Sequence, residues 1–159
     1  MNDVSQRIAP AAIRKTIEVN SSIERAFTVF ATRMGDWWHK DHSIAKGTTQ
    51  KDVVIEPRAG GRWYEVGADG SEHPWGKVVA YDPPRRLLLI WQLTREFQYD
   101  PAFETTVEVN FEEIGGKTIV HLEHRDLERM GAGIVELLEG MDGGWGMLLD
   151  LFKVEAERG

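Results

Sequence analysis

The sequence predicts an α+β domain in which one antiparallel β-sheet is covered by a long C-terminal helix. Residues 60–93 contain three short β-type runs separated by the turn signals Asp69-Gly70 and Pro83-Pro84, and such short connections make neighbouring strands antiparallel. Residues 145–157 instead repeat apolar side chains at helical spacing, which indicates an amphipathic helix. Because the β-type runs are rich in tryptophan, the sheet needs a cover, and this helix can provide it.

The first third of the chain predicts one strand followed by two short helices. We expect residues 1–12 to form a loose lead-in and residues 13–159 to form a single domain. Residues 13–19 alternate between two faces, as a strand does. Ser21 and Glu24 have the spacing of a capping box, so a helix is expected to begin there. A second short helix or a tight loop follows at Trp37-Trp38.

Six further strands precede the C-terminal helix in this prediction. Their expected bounds are residues 51–57, 62–66, 73–81, 86–93, 104–113 and 117–124. The last two alternate strongly between apolar and polar residues, which is typical of a sheet with one covered face and one solvated face. Gly131 and Gly133 interrupt residues 126–140, so only short, irregular helix is expected there. Asp142 is then expected to cap the N-terminus of the long helix.

Composition narrows the possible functions. The 159 residues are 42% hydrophobic, which suits one globular domain with a substantial core. A formal net charge of −7 argues against a nucleic-acid partner and against anionic membrane surfaces. No run reaches the length of a transmembrane helix, and the N-terminus lacks the apolar stretch of a secretory signal. The absence of cysteine excludes disulfides, cysteine nucleophiles and thiolate metal sites, and we expect a cytoplasmic protein.

The segment around Trp37-Trp38 contains the strongest candidate metal ligands. His39 and His42 are one helical turn apart, and Asp36 and Asp41 lie beside them, so these groups could face one cation. The alternative is a solvated loop of ordinary polar residues. No HExxH spacing is present and no third ligand follows from the pattern. We therefore expect no tightly bound metal and no cofactor.

His124 is the strongest candidate for acid–base chemistry. It lies on the last predicted strand and points to the covered face, whereas His121 and Glu123 point the other way. It could be a buried histidine that is hydrogen-bonded to a neighbour. It could instead line a cavity, where it would orient a polar ligand group or transfer a proton near neutral pH. Glu65 and Glu96 are its possible partners.

Other polar motifs have simpler explanations. Arg58 and Arg62 flank Gly60-Gly61 and could bind an anion, but no phosphate-binding glycine pattern is present, so a turn is favoured. Ser21 and Ser22 precede a helix and are explained as capping residues. No G-x-S-x-G motif occurs, and no catalytic motif is identified.

Several phrases of the sequence, in the expected order, match one known family. They are Glu24-Arg25-Ala26-Phe27, Trp37-Trp38, Glu56-Pro57-Arg58-Ala59-Gly60-Gly61-Arg62-Trp63, Trp75-Gly76-Lys77-Val78, Asp82-Pro83-Pro84-Arg85-Arg86-Leu87, Trp91, Thr118 with His124, and Gly144-Trp145. The chain resembles the helix-grip fold of the START and birch-pollen-allergen-like (SRPBCC) superfamily. Within it, the chain most resembles the family related to the C-terminal domain of the activator of the heat-shock-protein-90 ATPase. The resemblance implies a curved antiparallel sheet wrapped around the C-terminal helix, with a cavity between them.

We expect this cavity to bind a small hydrophobic or amphipathic molecule. Strand alternation and helical spacing, together with His124, give its expected lining: Trp38, Val78, Leu89, Trp91, Val107, Val109, His124, Leu148 and Phe152. The alternative is that the aromatic residues fill the core completely. Two other functions stay open: a cyclase, dehydratase or hydrolase that uses the same cavity, or a co-chaperone-like module that binds a protein partner through an exposed patch.

Overall fold

The computed structural model describes residues 12–131 and 133–158 and has the predicted helix-grip architecture. The predicted lead-in lies outside the described residues except for Ala12. The elements are β1 (Ile13–Val19), α1 (Ile23–Thr32), α2 (Met34–Trp37), β2 (Gln50–Ile55), β3 (Arg62–Gly67), β4 (Glu72–Asp82), β5 (Arg86–Trp91), β6 (Thr105–Ile114), β7 (Lys117–Arg125), a 3-10 turn (Leu127–Met130) and α3 (Ile134–Glu157). Within these ranges, no helix combines the length and apolar content that a membrane crossing needs.

The seven strands form one antiparallel sheet in the order β1-β7-β6-β5-β4-β3-β2. Strands β2 to β7 form a meander in which each strand pairs with the next, and β7 also pairs with β1 at the start of the chain. Strands β4 and β5 approach each other closely at Gly76, where a Cβ atom would lie 1.8 Å from the carbonyl oxygen of Ile90. Only glycine permits this approach, and the two tryptophans beside it, Trp75 along the chain and Trp91 across the ladder, are both buried.

Helix α1 begins one residue later than the sequence indicated. Ser22, not Ser21, is the N-cap, and its Oγ accepts a hydrogen bond from the backbone N–H of Arg25 at 3.2 Å. Ser21 lies in the turn after β1, and its Oγ donates to the carbonyl of Ser22 at 3.0 Å instead of capping the helix. The cap fixes where the buried face of α1 meets the core.

Helix α3 is longer than predicted and runs without interruption through four glycines between residues 140 and 146. It begins after Gly133, whose φ of 76° is in the left-handed region that glycine adopts readily. Asp142 therefore lies inside the helix, where it pairs with Lys15 at 2.9 Å, and the capping prediction was wrong. Met141 and Trp145, one turn apart, are both buried, so tertiary packing outweighs the low helix propensity of the glycines.

The covered face of the sheet is the one that alternation indicated. Val78, Leu89, Trp91, Val107 and Val109 are all buried. Strand β3 has a polar residue on either face in its sequence Arg62-Trp63-Tyr64-Glu65, so alternation does not decide its facing. The structure turns Trp63 and Glu65 inward, and both are fully buried. The sheet therefore brings one carboxylate into the interior, next to the candidate site.

Candidate ligand-binding site

A cavity of about 510 Å³ lies between the N-terminal half of α3, the ends of β4 and β5, and the loop that follows α2. This volume is within the range of small-molecule sites. Its lining residues are Trp38, Asp41, His42, Ser43, Ile44, Trp75, Trp91, Leu93, Phe97, Glu136, Leu137, Gly140, Met141, Gly144, Trp145 and Leu148. Asp41, His42, Phe97, Glu136 and Gly140 are exposed, so they form the mouth.

Four tryptophans form a continuous aromatic wall at the inner end of the cavity. The ring centroids are 4.9 Å apart for Trp38 and Trp75, 5.9 Å for Trp38 and Trp145, and 6.0 Å for Trp91 and Trp145. All four side chains are buried. Such a wall offers a large apolar area and flat π faces, which suit a planar ligand.

The four indole N–H groups of this wall all donate to the protein itself. The pairs are Trp38 Nε1 to His42 O at 2.9 Å, Trp75 Nε1 to Glu65 Oε1 at 2.8 Å, Trp91 Nε1 to Leu93 O at 3.1 Å, and Trp145 Nε1 to His124 Nδ1 at 3.2 Å. These bonds fix the ring orientations, because each indole has only one donor. The wall thus presents carbon atoms rather than hydrogen-bond donors to the cavity.

His124 lies behind the wall and orders two of its tryptophans. Its Nδ1 accepts from Trp145, so Nε2 carries the proton and donates to Thr105 Oγ1 at 2.8 Å. The Thr105 hydroxyl in turn donates to the carbonyl of Trp91 at 3.4 Å. Burial lowers the pKa of His124 to about 3, because the charged imidazolium would be desolvated, so the ring is neutral at physiological pH. Both ring nitrogens are occupied, which makes His124 a positioning residue rather than a proton donor to a ligand.

Glu65 fastens the loop after α2 to the sheet. Its carboxylate accepts hydrogen bonds from the Ser43 hydroxyl, the Ile44 backbone N–H at 2.8 Å and Trp75 Nε1 at 2.8 Å. A buried carboxylate is tolerated only when such donors satisfy it. Ser43, Ile44 and Trp75 all line the cavity, so this one side chain sets the shape of that part of the wall.

Glu65→Gln is expected to lower the free energy of unfolding by about 1–3 kcal/mol, because the amide presents one oxygen and an NH₂ group to three donors. Urea unfolding monitored by tryptophan fluorescence measures this. Glu72→Gln is the control, since Glu72 lies on the neighbouring strand with an exposed side chain that pairs with Arg62. Equal stability of the two variants would contradict the role of Glu65.

The candidate metal ligands lie at the mouth. The rings of His39 and His42 are 5.4 Å apart, but His39 Nδ1 accepts the backbone N–H of Asp41 at 3.1 Å. Among the described residues, no group of three His, Asp or Glu side chains is arranged to hold a metal ion. Partial burial of the ring in the cavity mouth, followed by the neighbouring His39, lowers the pKa of His42, which keeps this ring uncharged near neutral pH. The expectation of no bound metal stays a prediction.

The remaining polar candidates form ion pairs away from the cavity. Arg58 and Arg62 both pair with Glu56, at 3.3 Å and 3.0 Å, so these charges brace the turn at Gly60-Gly61. His121 is exposed and lies 2.9 Å from Glu112. These groups have no part in the site.

The structure brings three of the nine predicted site residues to the cavity wall: Trp38, Trp91 and Leu148. The other six are buried but do not line it: Val78, Leu89, Val107, Val109, His124 and Phe152. The cavity lies at one end of the sheet, because the C-terminal half of α3 packs tightly against α1 and α2 through Phe152. Sequence reasoning missed Trp75, Met141 and Trp145 as wall residues, although the tryptophan content of the sheet and α3 was a usable signal.

Comparison with known proteins shows the family. The family model described as "Activator of Hsp90 ATPase homolog 1-like protein" matches residues 20–157. The chain is 32% identical to the anthrahydroquino-gamma-pyrone synthase Txn09, with 90% of this chain and 97% of that chain covered and a TM-score of 0.61. It is 28% identical to CalC from Micromonospora echinospora, a self-sacrificing resistance protein, with 92% and 94% covered and a TM-score of 0.66.

A third solved structure extends the likeness of the fold. The Aha1 dimer from Colwellia psychrerythraea is 15% identical over 93% of this chain and 97% of that chain, with a TM-score of 0.65. No curated protein matches the chain. The family model spans most of the sequence, and the sheet and terminal helix match those of the solved relatives. The chain therefore belongs to the Activator of Hsp90 ATPase homolog 1-like family, whose helix-grip fold is a ligand-binding fold.

Proposed function

We propose that this protein binds a small hydrophobic or amphipathic molecule in the cavity between the sheet and α3. The observation that supports this most is the wall of four tryptophans around a space of about 510 Å³ that opens to solvent. Each apolar Å² that a ligand buries there contributes about 25 cal/mol before ordering costs are subtracted. A planar ring system gains most, because it can contact several indole faces at once.

A reaction in the same cavity is the second candidate function. Its support is the 32% identity to a synthase whose name describes a fused-ring aromatic product. Proton transfer would fall to His42, which faces the cavity mouth and whose ring nitrogens have no hydrogen-bond partner among the described residues. His124 is excluded from this role because both of its nitrogens are occupied behind the wall. A bound ligand recovered chemically unchanged after incubation would favour binding alone.

The cytoplasmic location remains part of the proposal, and so does a chaperone-like protein partner in place of a small molecule. The protein partner has its support only in the family and in the fold shared with the Aha1 dimer. Retention of a small molecule through purification, seen by native mass spectrometry, would favour the cavity over a protein partner.

Filling the cavity tests the proposal directly. Gly140 lines the cavity, and a Cβ atom there would meet no atom within 4 Å. Gly140→Phe is therefore expected to abolish binding of anthracene-9-methanol, a neutral planar probe, while the gain in helix propensity adds about 0.5 kcal/mol to the free energy of unfolding. Titration with energy transfer from tryptophan to the probe measures the affinity.

Gly143→Phe is the matched control for this experiment. Gly143 lies on the same helix, and a Cβ atom added there would also meet no atom within 4 Å, but Gly143 does not line the cavity. The control should bind the probe as tightly as the parent protein. Equal affinities of the parent protein and Gly140→Phe would place binding elsewhere and overturn the proposal.

A further inference from the structure

We infer that the ligand is a planar aromatic molecule that is uncharged or cationic and has hydrogen-bond donors on the edge that faces the cavity mouth. Carboxylate ligands such as fatty acids are correspondingly disfavoured. The inference rests on the proposed function and adds the charge and polarity of the ligand to it.

The charges at the cavity are of one sign. The only ionised side chains in the lining of the described structure are the carboxylates of Asp41 and Glu136, and no lysine or arginine lines it. His42, the third titratable group of the lining, adds no positive charge because its pKa is lowered. The cavity lining therefore has no fixed cation that could neutralise an anionic ligand. Moving the carboxylate of such a ligand out of water without a partner is costly.

Two cations of neighbouring segments, Lys40 and Arg95, are directed elsewhere. Lys40 Nζ donates to the carbonyls of Gly35 and Lys51, at 3.0 Å and 3.2 Å. Arg95 packs against the glycines that precede α3, and its Nη1 donates to the carbonyl of Met130 at 3.4 Å. Neither side chain is part of the lining.

The lining has acceptors to offer but almost no donors. The four indole N–H groups are occupied, and the Ser43 hydroxyl and the Ile44 N–H both donate to Glu65. What remains at the mouth are the two carboxylates and the neutral His42 ring, which has one donor and one acceptor. A ligand with hydroxyl or ammonium donors satisfies these acceptors, and indole faces also attract cations.

Three anthracene probes that differ only in one substituent test this inference. They are anthracene-9-methanol, 9-(aminomethyl)anthracene and anthracene-9-carboxylate, which are neutral, cationic and anionic at pH 7. The carboxylate is expected to bind at least about tenfold more weakly than the methanol, and the amine at least as tightly as the methanol. Energy transfer from tryptophan gives each dissociation constant at fixed, low ionic strength.

Charge-removing variants identify the source of the discrimination. Asp41→Asn and Glu136→Gln should each reduce the difference in dissociation constant between anthracene-9-carboxylate and anthracene-9-methanol. Glu139→Gln removes the same charge less than one turn along α3, outside this cavity, and should leave this difference unchanged.

The possible outcomes separate the two claims. Carboxylate binding as tight as methanol binding overturns the inference and leaves the proposed function standing. An equal effect of Glu139→Gln and Glu136→Gln also overturns it, because the preference would then come from the overall negative charge. Failure of all three probes to bind overturns the proposed function and this inference with it.

Discussion

Replacing Phe152 by alanine is expected to lower the free energy of unfolding by about 3–5 kcal/mol. The side chain is 0% exposed and lies at the junction of α3 with α1 and α2. Its ring packs edge-on against Phe30 and Trp37, with centroids 5.2 Å and 5.6 Å away. Phe152 does not border the cavity between the sheet and α3. Removing its ring therefore leaves a new enclosed space in a close-packed part of the core.

Urea unfolding at pH 7 gives this loss by linear extrapolation. Val154→Ala is the matched control, because Val154 lies on the same helix and is 57% exposed. The control should change the free energy of unfolding by less than about 0.5 kcal/mol. If Phe152→Ala were no more destabilising than the control, α3 could not pack against α1 and α2 through this face.

The facing of most strands could be predicted from sequence because a strand has only two faces. In β5 and β6, apolar residues at every second position decide which face is buried, so Leu89, Trp91, Val107 and Val109 were assigned inward and are buried. The spacing of Trp145, Leu149 and Phe152 likewise predicted the buried stripe of α3. These are local patterns, and they report which side of an element is covered.

The position of the cavity could not be predicted by the same reasoning. Inward-facing residues such as Val78 and Phe152 are surrounded by other side chains, whereas Trp38 and Leu148 border empty space. The difference depends on where the loop after α2 meets α3, which no local pattern encodes. Gly140 was the overlooked signal: it lines the cavity, and its missing side chain leaves part of that space open.

Glu65 shows a second limit of pattern reasoning. A charged residue on a strand normally lies on the solvated face, because unpaired burial of a carboxylate is costly, so alternation left the facing of residues 62–65 undecided. Three donors from distant parts of the chain remove that cost here, and two of them belong to the loop after α2. The clue in the sequence was that Glu65 shares a strand face with Trp63.

Acid is expected to destabilise the protein through His124. The unfolded chain binds a proton at His124 with a pKa of about 6.5, whereas burial holds the folded pKa at about 3. The stability present above pH 6.5 is therefore lost as the pH falls towards 3, at about 1.4 kcal/mol per pH unit and up to about 5 kcal/mol in all. Between pH 6.5 and 5 the loss should be about 2 kcal/mol.

The loss between pH 6.5 and 5 distinguishes His124 from carboxylates, which titrate at lower pH. Glu108, for example, has a pKa that hydrogen bonds from Arg125 and Arg86 hold at about 2. His124→Gln should reduce the dependence between pH 6.5 and 5, because glutamine has no proton to gain, and should leave only the part that comes from His42, whose pKa is also lowered. His121→Gln replaces an exposed histidine of the same strand and is the control for the substitution itself. Urea unfolding at several pH values measures all three.

NMR of the folded parent protein provides a second measurement that does not depend on the variant. The His124 imidazole should stay neutral, with the proton on Nε2, down to at least pH 4, since Trp145 and Thr105 hold it in that tautomer. Protonation near pH 6.5 in the folded state would mean that the ring is solvated, and the wall tryptophans would then lack their shared support. Protonation delayed to low pH, with unfolding following it, would establish His124 as the buried group that keeps Trp91 and Trp145 in place.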